Sequence, residues 1–253
     1  MKKTELDKLR KNYYKNGWIL HKKIFTKKEV KDINDKIDSF LKKNYQKYSG
    51  KTINFAGKNK ISKNIKNINS FHQLSDSAYI RKKSKDKKIR TITKYLLNSK
   101  EEYMASELFA KPAQKGLPSP IHQDNFYWCV KGGNALTVWI ALDDVSSANG
   151  GIQYYNKSQK LGVVKHKPSY AKGSSQKVSN LEKYNNFKKV CPKLRAGDAL
   201  FHHSEIMHGS SSNNSGKRRR GLTFQFKDFY ATYDVKLKKK YLKSLNKQIK
   251  LRN

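Results

Sequence analysis

A mainly β fold, a sandwich or barrel supported by N-terminal helices, is what this sequence predicts. From Glu102 onward, short β-prone runs alternate with Gly, Pro, Asn and Ser, the texture of many short strands joined by turns. Ahead of them apolar residues recur at helical spacing. The chain of 253 residues suits one domain with a sizeable core.

The helical signal comes first. Thr26-Lys27-Lys28-Glu29 has the form of a capping box, in which a threonine hydroxyl and a glutamate three residues on satisfy each other's backbone N–H groups. Val30, Ile33, Ile37, Phe40 and Leu41 then fall on one stripe, which predicts an amphipathic helix. Lys42 to Lys100 is rich in Lys, Asn and Ser, and within it Arg90 to Leu97 reads as a short helix or a strand. The predicted strands are Tyr103 to Phe109, Ile121 to Val130, Leu136 to Leu142, Ile152 to Tyr155, Ala199 to His208 and Gly221 to Tyr230. Val235 to Asn253 mixes Leu and Ile with many lysines and is expected as a surface helix or a mobile tail. The expected organisation is one domain over 1–253, with 1–100 as helical and loop-rich support and 235–253 as a basic tail.

The formal net charge of +37 raises the question of nucleic acid. Only eight of the 56 basic residues are arginine, and the lysines are dispersed through a chain also rich in Asn and Ile. Nucleic-acid recognition favours clustered arginine and aromatic platforms, so no specific nucleic-acid partner is expected. The charge does favour an anionic substrate by steering. No apolar stretch is long enough to span a bilayer, and the N-terminus lacks the apolar core of a secretory signal. Cys129 and Cys191 stand singly, as small core residues would. These features together place the chain in the cytoplasm.

Two segments carry chemistry. Pro120-Ile121-His122-Gln123-Asp124 puts a histidine and a carboxylate two apart, on one face if the segment is a strand. Alone, H-x-D is a weak signal. The second segment runs from Gly197-Asp198 through a predicted strand to His208-Gly209-Ser210, followed by a polar turn and Arg218-Arg219-Arg220. Two histidines and one carboxylate form the facial triad that leaves three positions open on an octahedral iron, two for a 2-oxo acid and one for dioxygen. The far carboxylate of such a cosubstrate needs a cation, and arginine offers a planar two-pronged donor.

At this point the sequence resembles the phytanoyl-CoA dioxygenase family of iron(II)/2-oxoglutarate oxygenases. The resemblance runs from Asn16-Gly17-Trp18 through Leu108-Phe109-Ala110-Lys111-Pro112 and His122-Gln123-Asp124. It continues through Trp139 to Asp144 and Asn149-Gly150-Gly151 to Gly197-Asp198, His208-Gly209-Ser210, Asn213, Ser215 and Arg219. It implies a double-stranded β-helix, or jelly roll, with His122, Asp124 and His208 as iron(II) ligands and Arg219 as the 2-oxoglutarate anchor. Gln123, Trp139 and Ser210 match positions that contact the cosubstrate in some members. The implied reaction consumes dioxygen and 2-oxoglutarate and hydroxylates a small molecule. Gln159 stands where the family often has a histidine, a departure that bears on substrate recognition.

The remaining candidates have plainer readings. His203 lies on the opposite strand face from His208, and His202 lies roughly 20 Å away along an ideal strand rising ~3.3 Å per residue, so both are expected as packing or supporting residues. His21, His72 and His166 are expected on the surface. Arg218 and Arg220 are expected on a solvated or outward face, and Phe126, Tyr127 and Trp128 in the pocket wall or a buried strand. Two rival functions remain, a basic nucleic-acid-associated jelly roll without activity and a zinc hydrolase using the same triad.

Overall fold

Thr26 and Glu29 close the predicted box: the Thr26 N–H donates to Glu29 Oε2 at 2.9 Å and the Glu29 N–H to Thr26 Oγ1 at 3.2 Å. The computed structural model describes residues 1–48, 68–114, 116–171 and 174–250. Its helices are α1 (Lys3–Asn16), α2 (Lys27–Tyr48), α3 (Ala78–Ser84), α4 (Lys87–Leu97), α5 (Asn125–Trp128) and α6 (Val235–Lys250). The strands are β1 (Trp18–His21), β2 (Ile68–Phe71), β3 (Glu101–Lys111), β4 (Ser119–His122), β5 (Ala135–Ala141) and β6 (Ile152–Tyr155). They continue with β7 (His166–Ala171), β8 (Ser174–Val178), β9 (Lys189–Val190), β10 (Ala199–His203), β11 (His208–Ser210) and β12 (Arg219–Asp228). Arg90 to Leu97 is helix, the choice the sequence left open. Residues 49–67 of the unassigned stretch and 251–253 of the tail lie outside the described residues.

Two sheets face each other. The larger has the order β1-β10-β5-β12-β3-β2 and the smaller β4-β11-β6-β9, while β7 and β8 form a separate hairpin. All pairings are antiparallel, so each large-sheet strand shows alternate residues to opposite sides. On β12, Leu222, Phe224 and Phe226 point outward and join Ile33, Ile37, Ile89, Ile92 and Leu96 of α2 and α4 in the main core. Ile33 and Ile37 are fully buried there, each contributing roughly 1.5–3 kcal/mol by apolar burial. The other face of β12 presents Arg219, Thr223 and Gln225 to a cavity between the sheets.

Two predicted strands are broken. Ile121 to Val130 is not one strand: β4 stops at His122 and the chain turns into α5. Ala199 to His208 is also interrupted. β10 belongs to the large sheet and β11 to the small one, so this segment crosses between sheets through a turn at 204–207. Polar Ser204 and Glu205 mark that crossing, and alternation alone cannot reveal it. The tail is a helix as far as Lys250, packed against α5 and β7. No helix among the described residues is long and apolar enough to cross a membrane.

Candidate active site

His122 ends β4 and His208 begins β11, and the two are direct partners across the small sheet. Their ring centroids lie 4.4 Å apart. Asp124 joins them through a backbone turn, adopting φ −59° and ψ −38° just before α5. That turn, and not strand alternation, places Asp124 Oδ1 3.6 Å from Nε2 of both histidines. All three donor atoms lie within 4.8 Å of one another.

The ring orientations suit metal binding. His122 Nδ1 lies 2.8 Å from the Pro120 carbonyl and His208 Nδ1 lies 3.0 Å from the Ile206 carbonyl. A carbonyl only accepts, so each Nδ1 carries the proton and each Nε2 keeps its lone pair. Burial drives the His208 pKa down to about 3 and keeps the imidazole neutral. Burial also pulls Asp124 upward, but His208, His122 and His202 outweigh it and hold the carboxyl well below its ordinary value. At His122 burial lowers the pKa as it does at His208, but Asp124 outweighs it and the pKa is raised, so a divalent metal, which requires two neutral imidazoles and one carboxylate, would displace any proton held there.

His202 is not remote from this centre. Because β10 and β11 lie in different sheets, its Nε2 comes within 3.2 Å of Asp124 Oδ2, and its ring centroid within 4.6 Å of that of His208. Its Nδ1 faces the Tyr154 hydroxyl at 2.8 Å, and the Thr137 hydroxyl donates to the same Asp124 Oδ2 at 2.7 Å. His202 and Thr137 thus fix the carboxylate oxygen that points away from the His122 and His208 rings. His203 does point the other way, against Tyr13.

The same cavity is lined by Arg219, which is 2% exposed. Its Nε and Nη2 donate to the Gly150 carbonyl, and its guanidinium carbon sits 5.5 Å from the Trp139 ring centroid. Trp139 can cross the floor only because residue 221 is glycine, since a Cβ there would lie 1.9 Å from the indole. Lys111, part of the Leu108-to-Pro112 stretch but assigned no role from it, is the direct β3 partner of Arg219. It is 4% exposed, and its Nζ donates to Ser210 Oγ at 2.8 Å and to the Ser211 carbonyl at 2.6 Å. Burial, reinforced by Arg219, lowers the Lys111 pKa to about 6, and burial lowers that of Arg219 to about 10. Neither has a carboxylate in ion-pair reach among the described residues. A buried guanidinium beside a buried amine that can take up a proton fits an anionic ligand such as a carboxylate.

Residues 13–221 match the family described as phytanoyl-CoA dioxygenase. The chain belongs to the phytanoyl-CoA dioxygenase family. "Phytanoyl-CoA dioxygenase domain-containing protein 1" of Danio rerio is 27% identical over 121 residues, covering 46% of this chain and 41% of that protein. The "Probable phytanoyl-CoA dioxygenase" of Caenorhabditis elegans is 22% identical over 229 residues, covering 86% and 73%. The chain thus spans less than half of the first relative and about three quarters of the second. Among solved structures, the non-heme alpha ketoglutarate dependent carbocyclase SnoK superposes with a TM-score of 0.74 at 21% identity, covering 92% of this chain and 86% of that one. EctD from S. alaskensis with bound Fe gives 0.71 at 18% identity, covering 92% and 79%. These likenesses establish the jelly-roll fold.

In this phytanoyl-CoA dioxygenase family member, the cavity of about 420 Å³ is lined by residues from both sheets, and His122, Asp124, Trp139, His208, Ser210 and Arg219 all reach it. Gln123 does not. It is fully buried, and its amide donates to the Gly162 and Glu205 carbonyls and accepts from the Val164 N–H, so it ties loops together behind the site. A residue between two that face the cavity has no reason to share their direction. Gln159 is likewise structural, bonding the Tyr14 carbonyl.

The other candidates divide. Tyr127 and Trp128 line the cavity, while Phe126 is buried with His166 stacked on it at 4.2 Å. His166 is therefore not a free surface residue; its Nε2 accepts from the Gln123 N–H. His21 is half-buried and its Nδ1 has no partner. His72 is exposed but lines the cavity and pairs with Glu107 at 2.9 Å. Arg218 is exposed beside Asp143, and Arg220 faces outward onto Asp38 of α2 at 2.8 Å. Tyr241 of α6 also reaches the cavity, a role the lysine-rich tail hid.

Proposed function

We propose that this chain is an iron(II)- and 2-oxoglutarate-dependent dioxygenase that hydroxylates a small molecule, with decarboxylation of 2-oxoglutarate to succinate. His122, Asp124 and His208 hold the iron, and Arg219 holds the far carboxylate of the cosubstrate beside Lys111, Ser210 and Trp139. The observation that carries this reading is the pairing of a His/Asp/His cluster with the buried Arg219 in one cavity, where Lys111 backs the Ser210 hydroxyl of the same wall. A hydrolytic zinc site would need the triad but has no use for a buried carboxylate anchor.

Bound iron(II) supplies coordination of the 2-oxo acid and dioxygen on one open face, and the oxidising power for the carbon–hydrogen bond. The chain's own residues bind, orient and shield. His202 and Thr137 fix the Asp124 carboxylate, Arg219 and Lys111 set the cosubstrate's direction, and Tyr127, Trp128 and Tyr241 keep water from the reacting space. The cavity volume, shared with the cosubstrate, restricts the substrate to a small molecule. A single oxygenase domain working in the cytoplasm fits the two unpaired cysteines.

The test is anaerobic addition of iron(II) and 2-oxoglutarate. The expected result is a weak visible metal-to-ligand charge-transfer band that is absent from Arg219→Ala at low cosubstrate concentration. Iron binding without any such band would overturn the reading.

A further inference from the structure

Glu107 places a negative pole in the same cavity, at the end away from Arg219. On β3 it pairs with Thr223, four residues along β12 from Arg219, which is roughly 13 Å at ~3.3 Å per residue. That separation leaves the cosubstrate its own end. Thr223's neighbour on the same face, Gln225, is the strand partner of Thr137, which bonds Asp124. Glu107 therefore lies on the metal side of the cavity, beyond the end that Arg219 gives the cosubstrate's far carboxylate.

Its carboxylate is buried, with the side chain 8% exposed, yet it lines the cavity. Three groups hold it: Ser70 Oγ donates to Oε2 at 2.8 Å, Gln225 Nε2 donates to Oε1 at 2.6 Å, and His72 Nδ1 lies 2.9 Å from Oε1. No Lys or Arg among the described residues pairs with it, although lysine is the commonest residue of the chain. An ionised carboxylate offers about four acceptor sites, so one remains for a ligand. Ser70 supports this carboxylate from a strained backbone, with φ +72° at a register shift between Asn69 and Phe71. Such strain in a non-glycine residue gathers at ligand clamps. Tyr127, Trp128 and Tyr241 give the cavity aromatic walls, which favour organic cations.

We infer that Glu107, clamped by Ser70 and Gln225, is the anchor for a cationic nitrogen of the primary substrate, an alkylammonium or amino-acid ammonium group. The inference rests on the oxygenase reading, which assigns the Arg219 end to the cosubstrate. The positive field of the protein, which on sequence alone favoured an anionic substrate, then steers the dianionic cosubstrate instead, while one buried carboxylate selects a cationic substrate.

The test is calorimetric titration of the protein loaded with iron(II) and 2-oxoglutarate under nitrogen. The probes are propylammonium, butylammonium and L-lysine, each beside an alcohol and a carboxylate of the same length. The ammonium probes should bind at least about tenfold more tightly than their matched alcohols. In Glu107→Gln, which keeps the shape and removes the charge, that preference should fall to within about twofold. Ser70→Ala covers the case in which the glutamine variant does not fold, and should weaken the ammonium probes severalfold while keeping their preference. Equal binding of alcohols or carboxylates, no binding of any ammonium probe, or a preference that survives Glu107→Gln overturns the inference. The charge-transfer band recorded on each sample before titration judges the oxygenase reading separately. Its absence beside ammonium selectivity counts against that reading alone.

Discussion

Lys111 and Arg219 stand directly opposite each other on β3 and β12, both almost wholly buried, with Ser210 Oγ between them at 2.8 Å from Nζ and 3.5 Å from Nη2. Burial lowers both pKa values, that of Lys111 to about 6 with Arg219 adding to the fall, and that of Arg219 to about 10. An incoming carboxylate opposes both shifts.

Removing the guanidinium tests this most directly. Arg219→Ala should cost on the order of 2 to 5 kcal/mol in cosubstrate binding, or roughly thirty- to several-thousand-fold in the 2-oxoglutarate Michaelis constant. Arg219→Lys should recover part of the loss, since the charge remains without the two-pronged geometry. Arg218→Ala and Arg220→Ala should move the constant little, because both side chains face away from the cavity. Succinate formation against 2-oxoglutarate concentration checks all four. A large effect at 218 or 220 with none at 219 would mean the cosubstrate lies elsewhere.

Lys111 supplies a pH signature. Its folded pKa is depressed to about 6, so the free protein holds it mainly neutral above that pH while the unfolded chain still carries the proton. Unfolded chains therefore bind more protons between about pH 6 and the ordinary lysine range, and this residue's contribution to stability rises with pH across that window. Carboxylate binding favours the ammonium form, so binding takes up a proton. The 2-oxoglutarate dissociation constant should rise by up to about tenfold per pH unit above pH 6, until the pKa of the complex is reached. Calorimetry in buffers of different ionisation enthalpy measures the uptake. Lys111→Met should abolish it, and an uptake that persists in the variant would refute the assignment.

His122→Ala, Asp124→Ala and His208→Ala should each lose iron and succinate formation together while staying folded, because these side chains border a cavity and not the main core. Metal analysis of the purified variants, with thermal melts alongside, decides it. Full activity in Asp124→Ala would rule the triad out.

His202 should act through Asp124 and not as a ligand. His202→Leu removes a partner of Asp124 Oδ2 and should lower iron affinity about 10- to 100-fold, with Thr137→Val acting in the same direction. High iron should restore activity to the His202 variant, as it would not if the imidazole were a ligand. Iron titration with activity as the readout separates these outcomes.

How far the site could be read from sequence depends on whether neighbours in the chain are also neighbours in space. His208 and Arg219 were legible because the strand-turn-strand segment that joins them is continuous, and alternation along β12 correctly turned Arg219 inward and its two neighbours outward. The capping box and the α2 stripe were legible because helix signals are local. His202 was misplaced because the crossing between sheets at 204–207 folds its strand back over the metal cluster, which no periodicity encodes. Gln123 came from the resemblance alone, and it lies behind the cavity where the chain turns after His122. Lys111 and Glu107 were hidden for another reason: in a chain with this many charges, only tertiary pairing tells a buried lysine or glutamate from a solvated one.

Helix α6 has a practical bearing on how the protein is handled. Ser244 donates to Gln176 on β8, and Tyr241 of the same helix packs edge-on against Tyr127 in the cavity wall. A purification tag fused after residue 250 would therefore hang from a helix that lines the cavity. If the tag were polyhistidine, it would bring a chelator to the doorway of a metal centre. Tagging at the N-terminus, where Lys2 and Lys3 are exposed ahead of α1, avoids both interferences.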